Sequence, residues 1–328
     1  MLDQSADLQT SQTAPLVSIA ANPVPEGAVT GNVKARDGVS LRFARWAPPP
    51  GRKGTVCLFQ GRAEFIEKYF ETVRDLRARG FAVATLDWRG QGLSDRTLRN
   101  PRKGYVRSFA QYQIDLETFI NEIVLPDCPP PLFALGQSMG ATVLLRAAYA
   151  GHRWFDRMVL LAPMIALPGM RRSGANRIIV KALRSIGLGS LYVPGGSAAA
   201  IMQRPFKGNP LSSDPVRYAR NVAVIEAEPA LAIGSPTVAW CDAAFREMAE
   251  LSEPGYPGRI RQPILIIAAG LDAIVSTPAI AEFAVRLRAG SHLIVPGARH
   301  ELLIEQDRFR MQALAAFDAF VPGTPVFK

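Results

Sequence analysis

The feature that most constrains the fold is the stretch from Leu132 to Ala150, LFALGQSMGATVLLRAAYA. An apolar run, Leu132 to Leu135, meets Gly136-Gln137-Ser138-Met139-Gly140, and a helix-forming run starts at Ala141. This reads as strand, sharp turn and helix. Glycines two residues before and two after Ser138 leave room for a backbone so tightly bent that the hydroxyl projects at a helix N-terminus. Five residues of this pattern occur by chance in roughly one chain in ten of this length, some of them plain Gly-rich turns. What identifies a nucleophile elbow here is the strand pattern before the motif and the helix pattern after it.

A serine nucleophile needs a base, and the histidines are His152, His292 and His300. In a strand-turn-helix site the chain order is Ser, then Asp or Glu, then His. No acid lies between Met139 and Gly151, which removes His152. His292 opens the apolar run HLIVP, where a strand would hold it away from a loop. His300 follows that strand in a loop, Pro296-Gly297-Ala298-Arg299, just before a helical run, and is the candidate base. The acid must orient the imidazole from another loop at the same sheet edge. Asp272 does so, at the end of Pro263 to Leu271, a buried parallel strand by composition. Its alternative reading is a turn or helix-capping aspartate. Asp242 and Glu253 keep the order but fall in a helical segment, and Glu301 adjoins the base itself.

With these residues in place the chain resembles the α/β-hydrolases of the monoacylglycerol lipase, lysophospholipase and serine-aminopeptidase-like group, over roughly Gly31 to Val321. The matching pieces are Gln60-Gly61-Arg62-Ala63-Glu64, Asp87-Trp88-Arg89-Gly90-Gln91-Gly92-Leu93-Ser94, the elbow, Gly270-Leu271-Asp272 and His300-Glu301. The resemblance implies Ser138 as nucleophile, His300 as general base, Asp272 as its partner, and an oxyanion hole from the backbone N–H groups of Arg62 and Met139. Relatives usually carry His-Gly where this chain has Gln60-Gly61, a change that keeps the backbone donor of Arg62. The Arg62 side chain reads as a surface charge.

Strand and helix patterns alternate along the rest, which predicts an α/β fold with a mostly parallel central sheet flanked by helices, the α/β-hydrolase fold that the resemblance implies. Val29 to Trp46 alternates around Asp37-Gly38, a hairpin signal. Helices are expected over Glu64 to Arg79, Phe109 to Val124 and Pro236 to Leu251, and the Gly90-Gln91-Gly92 turn reads as structural. About 100 residues separate the strand ending at Ala162 from the one starting at Pro263, more than a crossover helix needs. The expected division is a flexible tail over 1–26, a core over 27–163 and 235–328, and a mainly helical cap over 164–234. With 328 residues, 48% of them apolar, the chain can bury one large core. Residues 1–25 have neither the basic nor the apolar region of a signal peptide, and no run of 18 apolar residues occurs. Cys57, Cys128 and Cys241 are too scattered for a disulfide framework or zinc site, which fits a reducing cytoplasm.

Between Met164 and Gly234 stand nine basic residues and three acids, six of the chain's net ten positive charges. Arg177, Lys181 and Arg184 fall on one helical face, with Ile178, Ile179, Leu183 and Ile186 on the remainder. Either this is an ordinary cap helix with its apolar side on the pocket, or the cap makes a peripheral contact with anionic membrane. No nucleic-acid module or aromatic-interleaved basic stripe is present, so nucleic acid is not an expected partner. The expected chemistry is ester hydrolysis through an acyl-serine, with no metal and no cofactor. The resemblance favours a single-chain lipid ester, a lysophospholipid or monoacylglycerol. A small ester or an N-terminal peptide bond is the alternative within the fold, and a non-catalytic binding protein the alternative outside it.

Overall fold

The computed structural model of the protein describes residues 14–50, 53–169 and 174–322. At its centre is an eight-stranded sheet built from β1 (Ala28–Lys34), β2 (Ser40–Trp46), β3 (Thr55–Phe59), β4 (Ala82–Leu86), β5 (Leu132–Gln137), β6 (Arg157–Leu161), β7 (Ile264–Ala269) and β8 (Gly290–Val295). The spatial order is β1-β2-β4-β3-β5-β6-β7-β8. From β4 to β8 each neighbouring pair is parallel, whereas β2 runs antiparallel to both β1 and β4. The Asp37-Gly38 turn closes the β1–β2 hairpin with Val33 opposite Leu41. In β5, Leu132 and Ala134 enter the core on one face of the sheet, and Phe133 and Leu135 the core on the other. A strand covered on both faces has no polar side, which is why β3, β5 and β7 read as continuous apolar runs.

The helices are α1 (Phe70–Ala78), α2 (Ala110–Phe119), α3 (Met139–Tyr149), α4 (Ala175–Ser185), α5 (Pro215–Ala227), α6 (Val238–Leu251), α7 (Thr277–Ala284) and α8 (Asp307–Phe320). Val73 of α1 and Phe317 of α8 cover one face of the sheet. Leu116 of α2, Leu144 of α3, Met248 of α6 and Phe283 of α7 cover the other. The helix expected over 64–79 begins as a 3-10 turn, Ile66–Tyr69, before α1, and the one expected over 109–124 ends in a π-helical turn, Ile120–Val124. Of the expected flexible tail, residues 1–13 lie outside the described residues. Residues 14–26 lie along the core: Asn22 Nδ2 donates to the Glu67 carbonyl (2.8 Å) and Trp46 Nε1 to that of Pro25 (3.0 Å).

Between β6 and β7 the chain forms α4, α5 and short turns before α6. Helix α5 is clamped to the core through Glu71 of α1, which accepts from Arg217 (2.6 and 2.9 Å) and Arg220 (2.6 Å). Burial alone would raise the Glu71 carboxyl, but the Arg217, Arg310 and Arg220 guanidiniums hold it down at about 2. Helix α4 is held differently. Val180 is its buried residue, while Ile178 and Ile179 are 69% and 48% exposed. Arg184 does not share a solvated face with Arg177 and Lys181: it turns to α6 and donates to Asp242 (2.7 Å). A carboxylate within reach outweighs helical periodicity. Arg171 and Arg172 lie outside the described residues. No helix among the described residues is long and apolar enough to cross a membrane.

Beneath the sheet's carboxyl edge, Arg42 of β2 is enclosed by carboxylates. Its Nη1 and Nη2 meet Glu67 at 2.7 and 2.8 Å, and its Nε meets Asp87 at 2.7 Å. Asp87 also accepts from the N–H groups of Ile66 (3.0 Å) and Leu93 (2.8 Å). One buried ion cluster therefore joins the loops that follow β3 and β4. Replacing Arg42 by Met leaves two buried carboxylates without their cation, at a cost of about 3–5 kcal/mol. Urea unfolding should show that loss as a lower midpoint at unchanged slope; a loss below about 1 kcal/mol would contradict it.

Candidate active site

Ser138 sits between β5 and α3 with φ +51° and ψ −112°, a conformation that costs a non-glycine residue energy and is held by its surroundings. Its N–H donates to the Leu161 carbonyl (2.9 Å), and its own carbonyl accepts from the N–H groups of Thr142 (3.1 Å) and Met164 (3.3 Å). A Cβ added at Gly140 would stand 2.5 Å from the carbonyl oxygens of Phe59 and Gln60. Glycine there lets α3 start directly against the end of β3. A Cβ at Gly61 would stand 3.3 Å from that of Ser138, so the loop after β3 rests on the elbow.

The loops after β7 and β8 bring Asp272 and His300 together. His300 Nδ1 lies 2.8 Å from Asp272 Oδ2, and Asp272 Oδ1 accepts from the N–H groups of Ile274 (2.8 Å) and Val275 (2.9 Å). One carboxylate oxygen is thus fixed by backbone while the other faces the imidazole. His300 is anchored through its carbonyl, which accepts from Gln137 Nε2 (3.0 Å), the residue before the serine. Ser138 and His300 line one cavity of ≈ 390 Å³ with Arg62 and Met139. No hydrogen bond joins Ser138 to His300, in keeping with catalytic hydrogen bonds that tighten only around substrate. Among the described residues, neither the N–H of Arg62 nor that of Met139 meets a protein acceptor. Both residues line the cavity that Ser138 lines. The arrangement can polarise a serine hydroxyl and receive negative charge on an attacked carbonyl oxygen.

The other candidates lie elsewhere. His292 is an exposed residue of edge strand β8, opposite Ile266, and His152 stacks on Trp154 at 4.1 Å. Asp242 is engaged by Arg184 and Arg246, Glu253 is exposed, and Glu301 is engaged by Lys68.

Several supporting residues were not evident in the sequence. The Gln91 amide braces the loop after β3 from the side: Nε2 donates to the carbonyls of Gly61 (2.8 Å) and Glu64 (3.1 Å), and Oε1 accepts from the N–H of Ala63 (3.2 Å). Trp88 Nε1 donates to the Gln60 carbonyl (3.0 Å). These bonds hold the Gln60-Gly61 loop. Beneath it, Lys68 Nζ reaches Glu64 (2.9 Å) and Glu301 (2.6 Å), and Glu64 also accepts from the Tyr69 hydroxyl (2.7 Å) and the Gly61 N–H. A Glu–Lys pair four residues apart reads as a surface salt bridge in sequence, so nothing local announced its burial. The Arg62 side chain is also no surface charge: it runs under the cap, donating to the Gly234 carbonyl (2.8 Å).

A family model described as serine aminopeptidase, S33, matches residues 50–307. Lysophospholipase L2 of Escherichia coli K12 is 30% identical over 295 residues, covering 87% of this chain and 84% of that protein. Monoglyceride lipase of Rattus norvegicus is 27% identical over 129 residues, 39% of this chain and 41% of that protein. Among solved structures, a soluble variant of monoglyceride lipase from Saccharomyces cerevisiae, in complex with a substrate analog, aligns with a TM-score of 0.70 at 19% identity, over 89% of this chain and 96% of that one. That last likeness bears on the fold, which it shows to be the α/β-hydrolase one.

Proposed function

The chain belongs to the serine aminopeptidase S33 family of α/β-hydrolases, and from that membership we propose that it hydrolyses the carboxylic ester of a single-chain lipid, a lysophospholipid or a monoacylglycerol, through an acyl-enzyme on Ser138. The observation that carries this reading is the Asp272–His300 pair, held at 2.8 Å, whose imidazole residue lines one mostly apolar cavity with Ser138, Arg62 and Met139. His300 takes the Ser138 proton as the serine oxygen attacks the ester carbonyl. The N–H groups of Arg62 and Met139 receive the charge on the carbonyl oxygen. The imidazolium, stabilised by Asp272, then protonates the leaving alcohol, and water releases the fatty acid by the reverse sequence. Met164, Leu167, Met202, Leu211 and Ile274 line the cavity and suit an acyl chain.

An aminopeptidase of this fold would need a free carboxylate to hold the substrate ammonium. Glu64 and Glu301 line the cavity, but both are already engaged by Lys68, and Glu64 also by the Tyr69 hydroxyl and the Gly61 N–H. This favours the ester. Fatty-acid release should be measured from a lysophospholipid and a monoacylglycerol of matched acyl chain. Release from either, abolished in Ser138→Ala, is expected; release from neither above the Ser138→Ala background would sink the lipid reading.

The cap fits contact with a lipid surface. Ile178, Ile186 and Leu191 are 69%, 70% and 46% exposed, beside Arg177 and Lys181 of α4. Exposed apolar side chains flanked by basic ones suit an anionic bilayer surface. Vesicle sedimentation at low salt should show stronger binding to anionic than to neutral vesicles, weakened in Ile178→Ser/Ile179→Ser. Equal binding to the two vesicle types would contradict it.

A further inference from the structure

Arg62 differs from the guanidiniums that are locked between carboxylates. Arg42, Arg89 and Arg217 are each enclosed by carboxylates. Among the described residues Arg62 has none. Its Nη2 donates to the Gly234 carbonyl (2.8 Å), its guanidinium carbon lies 5.0 Å from the centre of the Trp240 ring, and its Nε is buried without an acceptor. Burial pushes this guanidinium below its ordinary range. A cation so placed costs stability unless an anion completes it. No residue described here does.

The surroundings favour an anion. A second guanidinium, Arg204, lines the same cavity. The two carboxylates that line it, Glu64 and Glu301, are both engaged by Lys68 and by neither guanidinium. A planar guanidinium presents two parallel donors that match phosphate oxygens. The backbone N–H of Arg62 faces the ester carbonyl in the reading above, and its side chain leads from there toward Gly234 and Trp240 under the cap. In a lysophospholipid the phosphate is joined to the ester through the glycerol carbons. One residue can therefore address both groups.

We propose that the Arg62 guanidinium is the anchor for a phosphodiester headgroup in the catalytic cavity, and that it sets the preference for phosphate-bearing over neutral single-chain lipids. This rests on the ester-hydrolase reading for its biological use, but binding can be measured without turnover. In the Ser138→Ala background, hexylphosphocholine and uncharged 1-hexylglycerol are titrated by calorimetry below their aggregation concentrations. With Arg62 present the phosphodiester should bind about tenfold tighter or more, the difference expected of a charge-assisted hydrogen-bonded pair. Arg62→Met should remove the difference and Arg62→Lys should keep part of it, showing that the loss is of charge and not of fold. No preference with Arg62 present, or a preference that survives Arg62→Met, would overturn the anchor. Hydrolysis by the unaltered protein reports separately: a preference that depends on Arg62 with no ester cleaved keeps the anchor and removes the hydrolase reading. Cleavage with no such preference does the reverse.

Discussion

The ammonium of Lys68, enclosed between the carboxylates of Glu64 and Glu301, is the interaction on which the site depends. Glu64 reaches from that cation to the N–H of Gly61, and Glu301 directly follows His300. One buried charge therefore couples the loop that offers the Arg62 donor to the loop that offers the imidazole. Burial raises both carboxyls. Lys68 and the Tyr69 hydroxyl bring Glu64 back below its ordinary value, while Glu301, beside the Glu64 charge, stays above. Removing Lys68 from such a cluster leaves buried carboxylates without their cation. Its geometry is correspondingly fixed, and a fixed frame is what oxyanion stabilisation requires.

The sheet explains why these loops meet. The strand order changes direction at β3, with β4 on one side and β5 on the other, and the loops bearing Arg62, Ser138, Asp272 and His300 all leave carboxyl ends of parallel strands. A crevice at that edge is where open α/β sheets bind ligands. The insertion after β6 roofs it unevenly. Helix α5 is pinned to the core by ion pairs with Glu71, whereas α4 keeps isoleucines in solvent. The cavity is lined from the insertion by the segment from Ala199 to Leu211 that precedes the clamped helix, and by Gly234 beyond it.

Much of this was legible in the chain because it depends on local order. The hairpin at Asp37-Gly38 and the two-sided apolar runs of β3, β5 and β7 follow from turn chemistry and period. Ser138, Asp272 and His300 could be put forward as candidates because their order and loop positions are sequence properties, and the fold brings the last two within 2.8 Å. What escaped are contacts between distant segments. Gln91 braces Gly61 across 30 residues, and Lys68 meets Glu301 across more than 200; neither pair has a local signature. Arg184 left its expected face because Asp242 lay within reach, and Arg62 went under the cap because the Gly234 carbonyl and Trp240 receive it there. Helical periodicity and exposure rules assign faces, but tertiary partners choose among them.

The central claim is that Ser138 is an activated nucleophile. Its most direct test is reaction of the intact protein with a fluorophosphonate probe, followed by peptide mapping, because the probe requires an activated hydroxyl and not merely a pocket. The account predicts one adduct, on the peptide carrying Ser138, and none in Ser138→Ala. An unreacted protein, or an adduct on another residue that persists in Ser138→Ala, would contradict it and favour a binding protein that kept the fold.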